Sequence, residues 1–169
     1  KLMHEGTLAF ADMENNGIRV DTKYCREQKK SIDQQIMMLS LELDRSEEVK
    51  EWRKLYGEDF NIDSNDQLKK VLFTHLGMKP PALTDKGNPS VDKDTLHLID
   101  LPIVKPLTQL RQLKKLNNTY LKNIIKETVN GFLHPSFNLH TVQTFRSSSD
   151  RPNLQNMPIR DPIMGKVIR

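Results

Sequence analysis

The sequence predicts a mainly α-helical fold, built on antiparallel long helices, with a short β-containing segment at the C-terminal end. Through the first 130 residues, apolar side chains recur at the three- and four-residue spacing of amphipathic helices. Capping residues precede these periodic runs, and glycines follow them. After residue 131 the periodic pattern gives way to short runs that are typical of strands and turns.

Local signals define the first helices. The first helix is expected to end at Gly17, because glycine adopts the left-handed conformation of a helix C-terminus without steric cost. Residues 18–20 are expected to form a short extended link, and Asp21 to cap a long second helix. Ser46, which two glutamates follow, is expected to interrupt that helix and restart it as far as Gly57.

The middle of the chain alternates helix caps with turn signals. Ser64 and Gln67 have the spacing of a capping box and predict a short helix that stops at Gly77. Residues 79–89 hold three prolines and are expected to form a loop. Ser90 is then expected to cap a further short helix.

The last third of the chain is predicted to change from helix to strand. A long helix is expected to follow Pro102 and Pro106 and to end at Gly131. Residues 132–144 are predicted to form a hairpin, and residues 166–169 to begin a strand.

Positive charge is concentrated in the C-terminal half, although the net charge is only +4. Six cations and no acid lie between residues 105 and 126, and five cations accompany two acids between residues 141 and 169. This asymmetry indicates a surface directed towards a polyanion. A solvated helix face without a ligand is an equally open interpretation of the first run.

Composition also bears on the compartment. The single cysteine, Cys25, excludes an internal disulfide and suits a reducing environment, and its place on the apolar side of a helix predicts a buried, inert thiol. No apolar run approaches the length of a membrane span, and no signal-peptide pattern is present at the N-terminus. We therefore expect a cytoplasmic protein with no membrane partner.

Three groups of polar residues are candidates for binding a nucleic acid. On the predicted long helix, Arg111 and Lys115 share a face with Asn118 or Thr119, a pattern that suits phosphate contacts. The loop that carries Asn88 and Ser90 can grip a phosphate beside a helix N-terminus, although a plain polar turn is the alternative. A third group lies near the C-terminus, where long polar side chains can reach minor-groove acceptors and serines can donate to phosphates. Its members are Arg146, Ser148, Ser149, Asn153, Gln155, Asn156 and Arg160.

Signals of a self-contained catalytic or metal site are missing from the sequence. The five histidines have no metal-ligand spacing with a cysteine or an acid. Asp92 and Asp94 are interpreted as charges in the first turn of a helix, not as a catalytic pair. There is no phosphate-binding loop, dinucleotide fingerprint or nucleophile elbow.

The segment at 144–160 is T-F-R-S-S-S-D-R-P-N-L-Q-N-M-P-I-R, and it resembles the signature T-G-R-L-S-S-x-x-P-N-L-Q-N-I-P-x-R of family A DNA polymerases. Upstream matches follow in the family's order. Residues 5–21 resemble the M-E-x-x-G-I-x-V-D opening of the thumb, residues 84–90 its K-T-x-x-G-x-x-S-T tip, and residues 111–120 its R-x-L-x-K-L-x-x-T-Y motif. The resemblance covers essentially the whole chain and includes the phage relatives of the bacterial polymerase I type.

The resemblance implies a division into family subdomains and an activity. Residues 1–130 are expected to form the helical thumb, with its tip at about 79–100, and residues 131–169 the start of the palm. The implied parent enzyme is a nucleotidyltransferase of DNA replication, which adds deoxynucleotides to a primer 3′ end as a DNA template directs.

The same motifs imply roles for individual residues. Arg146, Asn153, Gln155 and Asn156 are expected at the minor groove of the primer–template duplex, and Arg160 near the phosphates of the incoming nucleotide. The residues expected to contact the DNA backbone are Arg111, Lys115, Asn117, Thr119, Asn88, Ser90, Ser148 and Ser149.

The sequence also departs from the family pattern. Phe145 and Ser147 replace a glycine and a leucine of the signature, in a form similar to phage or viral-metagenome variants. The metal-binding motif D-Y-S-Q-I-E-x-R does not occur in the 169 residues. Two-metal phosphoryl transfer needs such carboxylates. We therefore expect a fragment, or one half of a split enzyme, that is inactive alone and binds no metal, with Mg²⁺ held elsewhere in the complete polymerase.

The expected partners follow from this assignment. They are double-stranded primer–template DNA, a dNTP in the complete enzyme, and, for a split enzyme, a second chain that carries the fingers and catalytic palm. Two other hypotheses remain open from the sequence: a non-enzymatic helical DNA-binding or regulatory protein, and a module whose basic helix docks an acidic protein.

Overall fold

The helices begin and end largely where the capping signals predict. The computed structural model describes residues 2–144, 146–160 and 165–166. The helices are α1 (Leu2–Asn16), α2 (Thr22–Arg45), α3 (Glu47–Tyr56), α4 (Asn65–Lys69), α5 (Lys93–Leu96), α6 (Val104–Lys115) and α7 (Lys122–Glu127). A 3₁₀ turn (Gly57–Asp59) follows α3, and π-helical segments follow α4 (Lys70–His75) and join α6 to α7 (Leu116–Leu121). The predicted mainly α-helical fold is confirmed.

Two compact units make up the chain. One contains Lys1–Gln34 and Leu113–Arg169, and the other contains Gln35–Gln112. We call them the first and the second unit. Their boundaries fall within α2 and α6. The predicted division into a thumb and the start of a palm at residue 130 is a different partition, and it stays a prediction.

Four of the predicted helix signals are confirmed. Gly17 has a positive φ of 67° after α1, and the Asp21 carboxylate accepts a hydrogen bond of 2.9 Å from the Tyr24 N–H at the start of α2. Ser46 caps α3 by accepting from the Val49 N–H. Ser64 caps α4 by accepting from the Gln67 N–H. Each of these signals acts within a single turn of backbone, which is why the sequence alone defines it.

The cap predicted at Ser90 is wrong. Helix α5 begins two residues later, with Asp92 as its N-cap, and the Asp92 carboxylate accepts a hydrogen bond of 2.7 Å from the Thr95 N–H. The Ser90 hydroxyl is buried and donates to the other carboxylate oxygen of Asp92 at 2.6 Å. Serine therefore supports the capping carboxylate instead of capping the helix itself.

The strands also differ from the prediction. The helical run ends at Glu127, not at Gly131, and β2 (Thr128–Val129) pairs with β3 (Phe132–Leu133) through a turn at Asn130 and Gly131. Both turn residues have positive φ, 51° and 84°, as a two-residue Asn-Gly hairpin turn requires. The hairpin predicted at 132–144 is accordingly wrong, since its first strand belongs to this tighter turn.

Within the described residues, the strands form two small antiparallel sheets. In the first, β1 (Ile18–Arg19) and β2 flank β3, with Ile18 opposite Leu133. In the second, β4 (Ser136–Asn138) pairs with β5 (Ser148–Asp150), so Phe137 lies opposite Ser149. Of the strand predicted at 166–169, only Lys166 lies in the described part of the chain, and it is helical there. The prediction for 167–169 lies outside the described residues.

The second unit is built around Trp52, which is fully buried. Its indole N–H donates to the Gln67 side-chain oxygen at 3.0 Å, and the Asn61 N–H donates to the same oxygen at 2.9 Å. The Gln67 amide nitrogen donates to the Asp59 carbonyl at 2.7 Å. One carboxamide thus joins α3, α4 and the loop between them. The buried apolar residues of this core are Leu43, Val49, Trp52, Leu68, Val71, Leu72, Val91, Leu96, Ile99, Ile103, Val104, Leu107 and Leu110.

In the first unit, α1 packs against β4. Phe10 of α1 stacks on Phe137 of β4, with ring centroids 5.1 Å apart. The Glu14 carboxylate accepts a hydrogen bond from the Phe137 N–H. Cys25 is buried, as predicted, and burial together with the Asp21 carboxylate raises the pKa of its thiol. The thiol is therefore held in its protonated, less reactive form.

We predict that Gln67→Leu destabilises the chain by about 1–3 kcal/mol, because the N–H groups of Trp52 and Asn61 lose their acceptor. Urea unfolding followed by circular dichroism measures this change. The matched control is Gln67→Glu, which keeps an acceptor oxygen and removes only the donor to Asp59. It is expected to cost less than the leucine variant, and equal stability of Gln67→Leu and the wild type would contradict the role of this carboxamide.

The stability that the Asp92 cap of α5 contributes should depend on pH. Hydrogen bonds from the Ser90 hydroxyl and the Thr95 N–H lower the pKa of Asp92 below its ordinary value of 3.8. A lowered pKa means that the folded state gains stability above the ordinary value and loses it as pH falls through the folded value. Asp92→Asn keeps a cap oxygen without the charge, so its urea midpoint should lie below that of the wild type at neutral pH.

This difference should shrink as the pH falls below the ordinary aspartate pKa. Asp94→Asn removes the same charge from the first turn of α5 without changing the cap, and it serves as the control. A difference between wild type and Asp92→Asn that is constant down to acid pH would show that the charge of the cap contributes nothing.

Candidate nucleic-acid interface

A cleft with a volume of about 730 Å³ lies in the first unit. One wall comes from the helical run between α6 and α7, and the other from the polar segment that follows β5. The helical wall is formed by Lys115, Thr119, Tyr120, Asn123 and Glu127. The facing wall is formed by Asp150, Arg151, Pro152, Asn153, Asn156 and Met157.

The cleft unites residues from two of the groups that the sequence singles out. Lys115 and Thr119 were predicted to contact a DNA backbone, and Asn153 and Asn156 to reach a minor groove. All four side chains are exposed and line the same cleft. The Tyr120 hydroxyl donates to the Asn156 carbonyl at 3.2 Å, so the two walls are also joined by a hydrogen bond.

Internal hydrogen bonds hold the polar segment in place. The Asn153 side-chain oxygen accepts from the N–H groups of Gln155 and Asn156 at 3.1 and 3.2 Å. The Ser149 hydroxyl accepts from the Leu154 N–H at 3.0 Å. The Gln155 side chain donates to the Ser147 hydroxyl at 2.9 Å. These bonds fix a loop that would otherwise pay a large entropic cost on binding a ligand.

Other predicted residues are exposed but lie outside this cleft. Gln155 and Arg160 line a second depression of about 460 Å³, formed by residues 154, 155 and 157–160. Arg146 is exposed and does not line either depression. Asn88 is exposed on the loop of the second unit, where the Gly87 N–H donates to the Thr84 carbonyl at 2.7 Å.

Several residues predicted to contact a DNA backbone have buried side chains. Asn117, Ser90 and Ser149 expose only 3%, 7% and 0% of their surface. Asn117 donates to the Asp33 carboxylate, and the Ser148 hydroxyl, which is half-buried, pairs with that of Thr141 at 2.6 Å. The predicted phosphate contacts of these residues gain no support from their positions.

Arg111 is likewise engaged within the chain. Its guanidinium donates to the Asn65 side-chain oxygen at 2.8 Å and to the Ile62 carbonyl at 2.9 Å, both in the second unit. Burial lowers the pKa of Arg111, and the nearby Asp63 carboxylate opposes that effect. An arginine remains charged even so. Its position ties α6 to the loop before α4, and its predicted contact with DNA stays a prediction.

Sequence reasoning missed three charged residues of the cleft and one amide. Glu127 and Asp150 bring carboxylates into it, and Arg151 adds a second cation. Asn123 follows Thr119 by four residues, so extending the polar row by one more helical turn would have found it. Glu127 lies one further helical turn along the same row. Asp150 and Arg151 could not be found in this way, because β5 and the turn after it decide where they lie.

Metal and membrane features can be assessed only for the described part of the chain. Within residues 2–144, 146–160 and 165–166, no three His, Cys, Asp or Glu side chains are grouped so that they could hold a metal ion. In the same ranges, no helix combines the length and the apolarity needed to cross a membrane.

Comparison with known proteins gives consistent matches. Residues 26–169 match the family model of DNA polymerase family A. The chain is 35% identical over 165 residues to the thermostable DNA polymerase I of Thermus aquaticus, which covers 95% of this chain and 19% of that protein. It is also 35% identical over 155 residues to DNA polymerase I of Geobacillus stearothermophilus, covering 89% of the chain and 17% of that protein.

A solved structure agrees with these relatives. The POL domain of Pol1 from M. smegmatis, in complex with DNA primer-template and dNTP, superimposes with a TM-score of 0.75 at 29% identity. The match covers 95% of this chain and 27% of that one. The chain thus spans about a fifth of the length of the curated relatives it matches.

Proposed function

The chain belongs to DNA polymerase family A, and from that membership we propose that it forms the part of a template-directed DNA polymerase that holds the primer–template duplex. The observation that carries this proposal is the cleft of the first unit. In it, Lys115 and Thr119 from one family motif lie opposite Asn153 and Asn156 from another. The solved relative that includes DNA primer-template and dNTP supports the same assignment.

The chemistry of the cleft suits a duplex whose sequence is not read. The Lys115 ammonium and the Thr119 hydroxyl are donors for phosphate oxygens, which are the same at every base pair. Asparagine amides can donate to the minor-groove acceptors that all base pairs present. A polymerase must hold any product that it makes, so contacts of these two kinds are what its duplex-binding surface requires.

The activity of the complete polymerase is part of this proposal. The family reaction adds a dNTP to the primer 3′ end, and two Mg²⁺ ions supply charge stabilisation for phosphoryl transfer. We assign the metal-binding carboxylates and the nucleotide-binding fingers to other parts of the polymerase, on the same or on a second chain. In this assignment residues 1–130 are thumb, residues 131–169 begin the palm, and the 169 residues alone bind duplex without extending a primer, in a cytoplasmic setting.

We predict that Lys115→Ala weakens duplex binding by the chain and lowers the slope of log affinity against log salt concentration by about one unit, because one phosphate contact is lost. Fluorescence anisotropy with a labelled duplex of mixed sequence, titrated over a range of salt, measures both quantities.

The matched control for this experiment is Lys54→Ala. Lys54 is exposed and paired with Glu51 in the second unit, so its removal changes the net charge equally without touching the cleft. The two variants should therefore differ in slope. An identical slope for wild type and Lys115→Ala would refute a phosphate contact at this residue.

We predict that Arg146→Ala slows primer extension by about ten- to a hundred-fold, in a polypeptide that extends this segment through the metal-binding motifs of the family. Hydrogen bonds that involve a charged group contribute about 1.5–3 kcal/mol. Arg146→Lys keeps the charge without the planar guanidinium, so its rate of extension should lie between those of the wild type and Arg146→Ala. Single-turnover incorporation measures the rate, and full-speed extension by the alanine variant would exclude a role at the primer terminus.

A further inference from the structure

The helical wall of the cleft is interrupted by a π-helical segment at Leu116–Leu121, which we call the π-turn. Its backbone closes with a hydrogen bond from the Lys122 N–H to the Asn117 carbonyl, five residues earlier. Such segments are rare inside helices because they are less favourable than the α-helix, and they persist where tertiary contacts hold them.

The π-turn aligns the polar residues of the cleft. An α-helix advances about 100° per residue, so Lys115 and Glu127, twelve residues apart, would point about 120° away from each other. A π-helix has roughly 4.4 residues per turn and advances only about 82° per residue. Six such steps reduce the divergence to about 10°. Lys115, Thr119, Asn123 and Glu127 therefore follow one line, and all four line the same cleft.

The buried side of the helix requires the same turn. Leu116 and Leu121 are both fully buried, although they are five residues apart. In an α-helix they would point about 140° apart, which would leave one of them facing solvent. Across the π-turn they diverge by about 50°. The leucines thus favour the π-turn, but they do so through contacts that have no fixed direction.

Asn117 supplies a directional contact at the first turn of this segment. It is 3% exposed, and its side-chain nitrogen donates to the Asp33 carboxylate of α2. Asp33 is itself held by Lys29, whose ammonium lies 2.9 Å from its other oxygen. The same residue whose carbonyl closes the π-turn is therefore tied by its side chain to the neighbouring helix. Its side-chain oxygen is buried and has no hydrogen-bond partner among the residues that the structure describes. Burying this amide therefore has a cost that the bond to Asp33 must offset.

We propose that Asn117 and Asp33 are positioning residues for duplex binding, which hold the π-turn and so keep Thr119 and Asn123 in line with Lys115. The inference rests on the function proposed above. It assigns to Asn117 a role different from the phosphate contact that the family motif predicts. Asn117 contacts no DNA in this account and acts through the residues that follow it.

The proposal distinguishes affinity from salt dependence. Lys115 is the last residue of α6 and precedes the π-turn, so loss of the turn does not change its position. Thr119 and Asn123 lie within and beyond the turn, and both are neutral. We therefore expect Asn117→Leu to lower duplex affinity by about ten-fold, the loss of two neutral hydrogen bonds. The salt slope should stay that of the wild type, because no phosphate-bound cation is lost.

A double-mutant cycle tests whether Asn117 acts through these two residues. In a Thr119→Val, Asn123→Ala background, Asn117→Leu should cause a much smaller loss of affinity than it does alone, because its targets are already gone. A loss of the same size in both backgrounds would overturn the proposal. So would wild-type affinity of Asn117→Leu.

Asp33 provides the second variant and its control. Asp33 is half exposed, so Asp33→Ala removes the acceptor without opening a cavity, and it should reproduce the affinity loss of Asn117→Leu. Asp33→Asn keeps an oxygen for the Asn117 amide and should retain wild-type affinity. A loss of affinity in Asp33→Asn equal to that in Asp33→Ala would contradict the role of this hydrogen bond.

The outcome separates this inference from the proposed function. If Lys115→Ala leaves the salt slope unchanged, duplex binding at the cleft is refuted. If Lys115→Ala lowers the slope but Asn117→Leu and Asp33→Ala bind like the wild type, the cleft stands and the positioning role is refuted. A fall of both affinity and slope in Asn117→Leu would indicate general unfolding of the cleft, and that too would refute a specific positioning role.

Discussion

The candidate site depends on one helical run, which must bury apolar side chains on one face and present polar side chains to the cleft on another. Between Val104 and Glu127 the chain buries a row of leucines and presents a row of polar residues to an open cleft. A regular α-helix drifts steadily relative to any straight row, so over three turns it cannot keep both rows in place. The π-turn removes that drift. A local backbone irregularity therefore serves the packing of the first unit and the shape of its cleft together.

Local signals were enough to predict most helix ends, and packing decided the rest. The helix ends predicted at Gly17, Ser46 and Ser64 are confirmed, because a cap involves atoms within one turn. Ser90 and Asp92 are both good capping residues, and the sequence could not choose between them. The choice follows from the burial of Ser90, which is a property of the folded second unit. The Asn-Gly turn at residue 130 was a strong local signal that the expected continuation of the helix obscured.

The candidate site shows the same limit at the level of function. The family motifs predicted a surface that contains Lys115 and Asn153, and both residues do line one cleft. The motifs could not tell which polar residues face outward and which support the fold, because both kinds are hydrophilic. Asn117 and Gln67 each use a carboxamide to join two elements of one unit. Distinguishing such supports from binding residues requires the helix phase, and a π-turn changes that phase in a way that apolar spacing alone did not reveal.

The burial of Trp52 makes its fluorescence a probe of the second unit. It is the only tryptophan in the sequence, and it lies fully enclosed in the core of the second unit, with Phe60 packed edge-on 5.6 Å away. Selective excitation of tryptophan fluorescence therefore reports on the second unit and not on the first. A difference between the thermal unfolding midpoints from tryptophan emission and from circular dichroism of the whole chain would show that the two units unfold one after the other. Equal midpoints would show that they unfold together.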